Sequence, residues 1–405
     1  MSEEKNVPNI RFKGFTDPWE QRKLGEVANI VGGGTPSTSI PEYWNGAIDW
    51  YTPAEIGDRI YIDNSKKKIT ELGLKKSSAQ MLPKGTILFT SRAGIGNTGI
   101  LIKEGSTNQG FQSIVPKGEK LDSYFIYTCS NMLKRYGEKY GAGSTFIEIS
   151  GRQMTKMPIN VPAIKEQSKI GHLSKKVDIT IALHQQKVTQ LKELKKLLMQ
   201  KIFDQEWRFR GFTDPWVQRK LGDEVQNIHT GTNLLGSKEN DGIPLLKMGN
   251  IQRGFFSLNK LEFLDKNDTP RINDFVKYGD FFFNTRNTLE LVGKGATWVK
   301  KDNNYVFNSN IAKVKFKSLN TIFFNYLYNT LNFINQVHSK AVGTTSVAAV
   351  YPRDLYPIKF YMPNSMEQKS IGSLFKKLDD LIALHQQKVD QLKELKKYLM
   401  QNLFV

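Results

Sequence analysis

The chain of 405 residues carries 58 Lys and Arg against 39 Asp and Glu, a formal charge of +19 with a pI near 9.6. That length exceeds one small module and suits two or three domains, while the charge points to a polyanionic partner, nucleic acid ahead of an anionic membrane. With 39% hydrophobic and 11% aromatic residues the charge sits on folded domains rather than on a disordered tail, and a single cysteine, Cys129, excludes an internal disulfide and a cysteine-based zinc cluster.

The opening residues Met1-Ser-Glu-Glu-Lys-Asn6 put acids where a secretory signal needs a basic region, and nowhere do 18 apolar residues come together. A cytoplasmic protein that does not span a membrane is expected. In the leading segment, residues 1–27, the stretch Arg11-Phe-Lys-Gly-Phe-Thr-Asp-Pro-Trp-Glu-Gln-Arg-Lys-Leu-Gly25 returns almost verbatim at Arg208 to Gly222, an offset of 197. Residues 28–163 then read as a mixed α+β domain. Thr86 to Phe89 and Gln112 to Val115 are short apolar runs between turn residues, hence strands, and Leu121 to Lys134 has helical periodicity. Gly94-Ile-Gly-Asn-Thr-Gly99 matches a dinucleotide-loop pattern, but Ile100-Leu-Ile102 continues as strand where a phosphate-binding loop must open a helix. A turn is expected there.

Residues 164–203 form a long helix whose stripe runs Ile170, Leu173, Val177, Ile181, His184, Val188, Leu191, Leu194, Leu198, Ile202 in steps of three and four. Residues 204–225 repeat the leading segment. Residues 226–364 form a second mixed domain, with strands at Asp280 to Phe283, Ile311 to Phe316 and Ile358 to Tyr361 and a helix over Leu319 to His338. Residues 365–405 repeat the long helix at an offset of 201, with Ile371, Leu374, Leu378, Ile382, His385, Val389, Leu392, Leu395, Leu399 and Leu403 on the stripe. Asn364-Ser-Met-Glu367 reads as a capping box at its start. The 38 residues from Glu166 to Phe203 make a rod of about 57 Å that needs a partner. Either the two rods pair antiparallel within the chain, giving pseudo-two-fold symmetry, or rods of two chains pair in parallel. The rods carry +5 and +2, which leaves +12 on the remainder. His184 and His385 are expected as packed histidines rather than metal ligands.

The two interiors differ, yet pieces align in order: Lys84-Gly-Thr-Ile-Leu-Phe-Thr-Ser-Arg92 with Tyr278-Gly-Asp-Phe-Phe-Phe-Asn-Thr-Arg286, Thr107 to Pro116 with Phe307 to Phe316, and Gly143-Ser-Thr145 with Gly343-Thr-Thr345. Matching frames should contact one kind of thing twice, and divergent interiors two different things, as in a bipartite nucleic-acid reader. No G-x-x-x-x-G-K-[ST], H-E-x-x-H or nucleophile elbow occurs, and the five histidines lack metal-ligand spacing. Thr16-Asp-Pro-Trp19 and Thr213-Asp-Pro-Trp216 superficially match an adenine-methyltransferase motif, but without its second proline a repeated structural turn is the better reading. The chain reads as non-catalytic. A self-contained nucleic-acid-modifying enzyme, or a coiled-coil scaffold or tandem transcription-factor-like protein, is the rival.

Together these pieces resemble one family over essentially the whole chain, the specificity (S) subunits of type I restriction-modification systems. The resemblance rests on Phe-Thr-Asp-Pro-Trp with Gln-Arg-Lys-Leu-Gly heading each half, Gly33-Gly-Thr-Pro-Ser37 with Tyr43-Trp44, and Gly85-Thr-Ile-Leu with Ser91-Arg-Ala. In the second half it rests on Gly279-Asp-Phe-Phe-Phe-Asn-Thr-Arg286 and Glu367-Gln-Lys-Ser-Ile-Gly372. It implies two target-recognition domains joined by an antiparallel pair of helices, each domain reading half of a split double-stranded DNA site. It also implies two methyltransferase (modification) subunits as partners and, through them, two restriction subunits. S-adenosylmethionine, ATP and Mg would serve that assembly and not this chain.

Such a family transfers a region rather than individual contacts, so candidates come from polar residues of the aligned loops. Arg92 and Arg286 suit bidentate contact with guanine or a grip on phosphate. Asn97, Asn108, Gln109, Asn250, Arg253, Asn287, Asn308 and Asn310 suit base edges, and Lys247 suits phosphate. Ser144, Thr145, Thr344 and Thr345 lie beside glycines that bring backbone close to phosphate. The rods should pair through Leu173, Val177, Ile181, Val188, Leu191 and Leu198 against Leu374, Leu378, Ile382, Val389, Leu392 and Leu399.

Overall fold

A computed structural model of the chain describes residues 7–57, 59–92, 94–143, 147–239 and 241–404. They fall into two compact units, Met1–His184 with Gln387–Val405, and Gln185–Gln386. The first long helix, Ile164–Phe203, gives its first half to unit 1 and its second half to unit 2. The second long helix, Ser365–Asn402, is divided the other way.

Unit 1 is built on a five-stranded sheet of β1 (Ala28–Gly32), β2 (Tyr61–Ile62), β3 (Ile87–Phe89), β4 (Thr98–Leu101) and β5 (Gln112–Pro116), in spatial order β1-β5-β3-β4-β2. Unit 2 has β6 (Val225–Thr230), β7 (Phe281–Asn284), β8 (Gly295–Thr297) and β9 (Ile311–Phe316), in order β6-β9-β7-β8, which is the same topology without the last edge strand. Each unit adds a three-stranded sheet whose middle strand, Trp44–Tyr51 or Pro244–Leu246, has one antiparallel and one parallel neighbour. The central strands are unbroken apolar runs because both faces are covered. Ile87 and Phe89 join one core cluster while Leu88 joins another, and Phe281 and Phe283 likewise part from Phe282.

Two helical predictions need correction. Leu121 to Lys134 forms two helices, Ser123–Thr128 and Ser130–Tyr140, and Leu319 to His338 forms Thr321–Tyr328 and Leu331–His338. Short polar side chains at the breaks compete for carbonyls of the preceding turn: Thr128 and Ser130 bond those of Phe125 and Tyr127, Asn329 and Thr330 those of Asn325 and Leu327. The capping box is also only half present. Asn364 Oδ1 accepts the Glu367 N–H at 2.9 Å, but the Glu367 carboxylate is engaged elsewhere.

That engagement is the joint of each unit. Arg11 from the leading segment forks Glu166 through Nε and Nη2 at 2.9 and 2.7 Å, and Arg208 forks Glu367 at 2.9 and 2.6 Å; both carboxylates are 1% exposed. The next residue ties in the domain. Gln167 Oε1 accepts the N–H of Asp122, whose carboxylate caps Ser123–Thr128, and Gln368 Oε1 accepts the N–H of Asn320, which caps Thr321–Tyr328, each at 2.9 Å. Gly171 and Gly372, one turn on, leave room for those capped ends: a Cβ would lie 2.9 Å from Asp122 Oδ1 and 3.1 Å from the Phe323 nitrogen. The leading strands close the joint, with Glu20–Lys23 antiparallel to Pro158–Val161 and Val217–Lys220 to Lys359–Met362. Trp19 and Trp216, just ahead of them, are buried edge-on to Phe125 and Phe323.

Along the long helices, Val177 and Ile181 pack with Val389 in unit 1, flanked by Leu173, Leu392 and Leu399. In unit 2, Leu191 and Leu378 lie in one cluster, with Leu198, Leu374 and Ile382 against it; Val188 is buried too. Leu194 and Leu395, both placed on the stripe by periodicity, are 44% exposed; the seam passes instead through the next residues, Lys195 and Lys396, each paired with an aspartate of the other long helix. His184 and His385 are half-buried.

Removing one partner of a buried ion pair strands the other, so Arg11→Met should destabilise unit 1 by about 3–5 kcal/mol. In urea unfolding of the full chain, the double variant Arg11→Met/Glu166→Met should lose less than Arg11→Met alone.

Candidate nucleic-acid interface

The polar pieces matched between the two interiors converge in each unit at the end of the central strand. In unit 1 the chain leaves β3 through Thr90-Ser91-Arg92. The Thr90 hydroxyl donates to the Gly94 carbonyl at 2.7 Å and accepts the Asn97 N–H at 2.9 Å, folding a turn that presents Asn97 to solvent. The dinucleotide-like glycines therefore serve a turn into β4. Beside it, Asn108 Oδ1 accepts the Gly110 N–H at 2.8 Å, and Gly110 accepts the Ser91 N–H, so Arg92 and the Asn108 turn are neighbours. Gln109 is exposed and accepts from the Thr35 hydroxyl. A bridge between Ala142 and Glu148, with Ile149 N–H donating to Ser91, brings a third loop alongside, and Arg92 Nη1 lies 3.7 Å from Glu148. Ser144 and Thr145 lie outside the described residues.

Unit 2 repeats this plan with other side chains. Arg286 and Asn287 follow β7 and pair with Ala348–Ala349, which pairs in turn with Val342–Gly343, so Thr344 and Thr345 lie at the exposed tip of a hairpin beyond Asn287, where the Leu289 N–H donates to the Thr345 carbonyl. Asn308 Oδ1 accepts the Asn310 N–H at 3.3 Å and Asn310 accepts the Thr285 N–H, as in the Asn108 turn. Asn287 Oδ1 accepts the Thr288 N–H. The strand below each turn sits against a matched glycine: a Cβ on Gly33 or Gly231 would lie 1.9 Å from the carbonyl oxygen of Asn108 or Phe307.

The remaining candidates separate. Arg253 is half-buried, with Nη2 3.4 Å from the Glu290 carbonyl and 3.3 Å from His338 Nε2. Lys247 is held by Glu262 at 2.9 and 3.0 Å, which satisfies the ammonium expected for phosphate. Asn250 is buried at 5% exposure; its Oδ1 accepts the Lys247 N–H and its Nδ2 donates to the Ser257 carbonyl. Its amide is spent inside the fold.

Sequence reasoning missed Lys294 and His338. Lys294 precedes β8 as Asn97 precedes β4, with the same hydrogen bonds: Asn284 N–H to Lys294 oxygen and Gly293 N–H to Asn284 oxygen, against Thr90 to Asn97 and Gly96 to Thr90. The shared signal was a glycine one position earlier, hidden by loops of unequal length. Lys294 Nζ donates to Gln252 at 3.0 Å; burial, reinforced by Arg253, pulls its ammonium below the usual lysine range. Burial and the same guanidinium also pull His338 down, which favours the neutral ring as the acceptor facing Arg253. Among the described residues no group of three or more His, Cys, Asp or Glu is placed to hold a metal ion, and no helix is long and apolar enough to cross a membrane.

What these loops can do chemically is present guanidinium, ammonium and amide groups from a rigid sheet, the equipment for phosphate and base-edge contacts. The model of the type I restriction modification DNA specificity domain matches residues 16–193 and again residues 213–394. The chain belongs to that family. It is 31% identical over 254 residues to the type I restriction enzyme MjaIX specificity subunit of Methanocaldococcus jannaschii, covering 58% of this chain and 59% of that relative's own length. The putative MjaX specificity subunit of the same organism matches at 24% identity over 433 residues, 98% of this chain and 95% of the relative. The fold is similar to the crystal structure of a type I restriction-modification S subunit from M. genitalium, with a TM-score of 0.63 at 13% identity over 98% of this chain and 99% of that one.

A phosphate contact and a structural amide should behave differently. Arg286→Ala should weaken DNA binding by the assembled protein and reduce the slope of log affinity against log salt by about 1. Asn250→Ala should lower the melting temperature and leave that slope unchanged.

Proposed function

We propose that this chain is the non-catalytic, sequence-reading subunit of a type I restriction-modification assembly. One interior, residues 28–163, reads one half of a split asymmetric DNA site, and the other, residues 226–364, reads the second half. The observation that carries this is one sheet topology and one loop framework, built twice, beneath interiors of different sequence and between frames of nearly the same sequence. Equal frames suit two copies of one methyltransferase partner, with restriction subunits joining through them. S-adenosylmethionine, ATP and Mg then belong to the partners, and the assembly works in the cytoplasm.

The two long helices act as an antiparallel intramolecular coiled coil with pseudo-two-fold symmetry. Support comes from contacts within each unit, where the first half of one long helix meets the last half of the other: Val177 and Ile181 with Val389, and Leu191 with Leu378. The surface contacting bases and phosphates in this reading comprises Arg92, Asn97, Asn108 and Gln109 in one unit. In the other it comprises Arg253, Arg286, Asn287, Asn308, Asn310, Thr344 and Thr345, with Lys294 added.

Co-expression with the cognate methyltransferase in an unmethylated host, followed by genome-wide mapping of N6-methyladenine, tests the reading. A split, asymmetric motif should appear only when this chain is present, with half-site centres about 10 bp apart, one turn of B-DNA. A host left unmethylated by soluble, associated proteins would sink it.

A further inference from the structure

Each unit holds a second polar cluster, on the long helices and built from other residues than the candidate interface. In unit 1, Asp178 of the first long helix accepts the Tyr124 hydroxyl on Oδ2 at 2.9 Å, while Lys396 of the second long helix meets Oδ1 at 2.6 Å. In unit 2, Asp379 of the second long helix accepts the Tyr326 hydroxyl on Oδ2 at 2.9 Å, while Lys195 of the first meets Oδ1 at 2.5 Å. Both the atoms and the geometry repeat. The carboxylates and lysines lie in the near-identical frames, but Tyr124 and Tyr326 come from the divergent interiors, on the helices Ser123–Thr128 and Thr321–Tyr328. A residue kept at the same place in two otherwise unlike domains serves something both domains share.

We infer that Asp178 and Asp379 are positioning residues for site recognition: each fixes the register of the two long helices and the seating of its recognition domain upon them. The inference rests on the DNA-reading function proposed above. An apolar stripe alone specifies register weakly, because a slip brings one leucine opposite another. A slip of one turn, about 5.4 Å, would carry Lys396 away from Asp178 and leave a carboxylate of 6% exposure without its cation. Polar residues placed singly within a helix pair set register in this way, at a cost in stability. The tyrosine adds the domain to the same lock. Burial, with the charge of Asp178 or Asp379 behind it, pushes each tyrosine hydroxyl far above its usual range, so it stays a donor under all working conditions. Asp379 is 39% exposed, so the lock in unit 1 is the stricter one.

The test uses the full assembly, with Tyr124→Phe, Asp178→Asn and Lys396→Met introduced singly and the methylated sites mapped. Tyr124→Phe keeps the ring and its packing, so the domain remains folded. Wild type should methylate sites of one gap length. Each variant should raise methylation at sites whose gap differs by one or two base pairs, the span of a ~5.4 Å slip, about tenfold, the factor given by a ~1.4 kcal/mol change between two registers. Tyr326→Phe should raise it less. A merely structural role would lower the melting temperature and leave the gap preference as in wild type, and that result overturns the inference. A wild-type assembly that methylates no split motif is a different failure: it removes the DNA-reading function and the inference with it.

Discussion

The buried carboxylate at the start of each long helix is the constraint on which the rest depends. Glu166 and Glu367 are almost wholly out of water, and a carboxylate in that position is tolerated only with a cation and further hydrogen-bond donors around it. The cation is an arginine 155 or 159 residues earlier in the chain, so the leading segment must return across the whole domain before the helix can settle. Gln167 and Gln368 then carry the constraint into the domain by holding the backbone of its capped helix. Leading segment, domain and long helix are therefore joined through one buried carboxylate and the glutamine beside it. A free-standing interior would lack both the arginine and the helix start.

This joint explains why the frames are so alike while the interiors are not. Its parts are spread over the leading segment, the Pro-Ala-Ile-Lys-Glu-Gln and Pro-Asn-Ser-Met-Glu-Gln helix starts and the glycine one turn on, and each must fit the others closely. The interiors are held to a looser rule, that total bulk and hydrogen-bonded turns be kept. Where unit 1 pairs Ile87, Leu88 and Phe89 with Ile100, Gly99 and Thr98, unit 2 pairs three phenylalanines, Phe281 to Phe283, with Thr297, Ala296 and Gly295. A Cβ on Gly295 would come within 2.7 Å of both Phe281 and Tyr328, so the glycine offsets the added rings. The backbone path survives because volume moved from one strand to its neighbour.

The same division decides what was legible in the sequence. Long periodic stripes and verbatim repeats revealed the helices and the duplicated plan, and continuous apolar runs revealed the central strands, because those signals are local. The helix breaks at Cys129 and at Asn329–Thr330 were not legible from periodicity, which continues across them; the signal was the threonine, serine and asparagine side chains that compete for backbone carbonyls. Glu367 looked like a capping residue because its distant partner, Arg208, leaves no mark at short range. At the candidate interface the aligned motifs led to Arg92 and Arg286 and to the Asn108 and Asn308 turns, which the fold brings together in each unit; strand ends and Asx turns have sequence signatures. Lys294 had to wait for strand pairing to reveal it as the counterpart of Asn97. Asn250 and Lys247 had suitable chemistry, and only the fold shows that Ser257 and Glu262 already use it.

Separating frame from reader has an electrostatic consequence as well. The long helices hold only +5 and +2 of the +19, sums that already include Asp379 and Asp178, the partners of Lys195 and Lys396. The surplus that attracts a polyanion therefore lies on the domains and leading segments, where cations such as Arg286, Arg253 and Lys294 stand on loops braced by a buried sheet. Loops so braced can change residue type without moving their backbone, because the turns are closed by main-chain and Asx hydrogen bonds that do not depend on the outward side chains. A domain of this design can alter what it contacts while the joint, the helices and whatever docks on them stay the same.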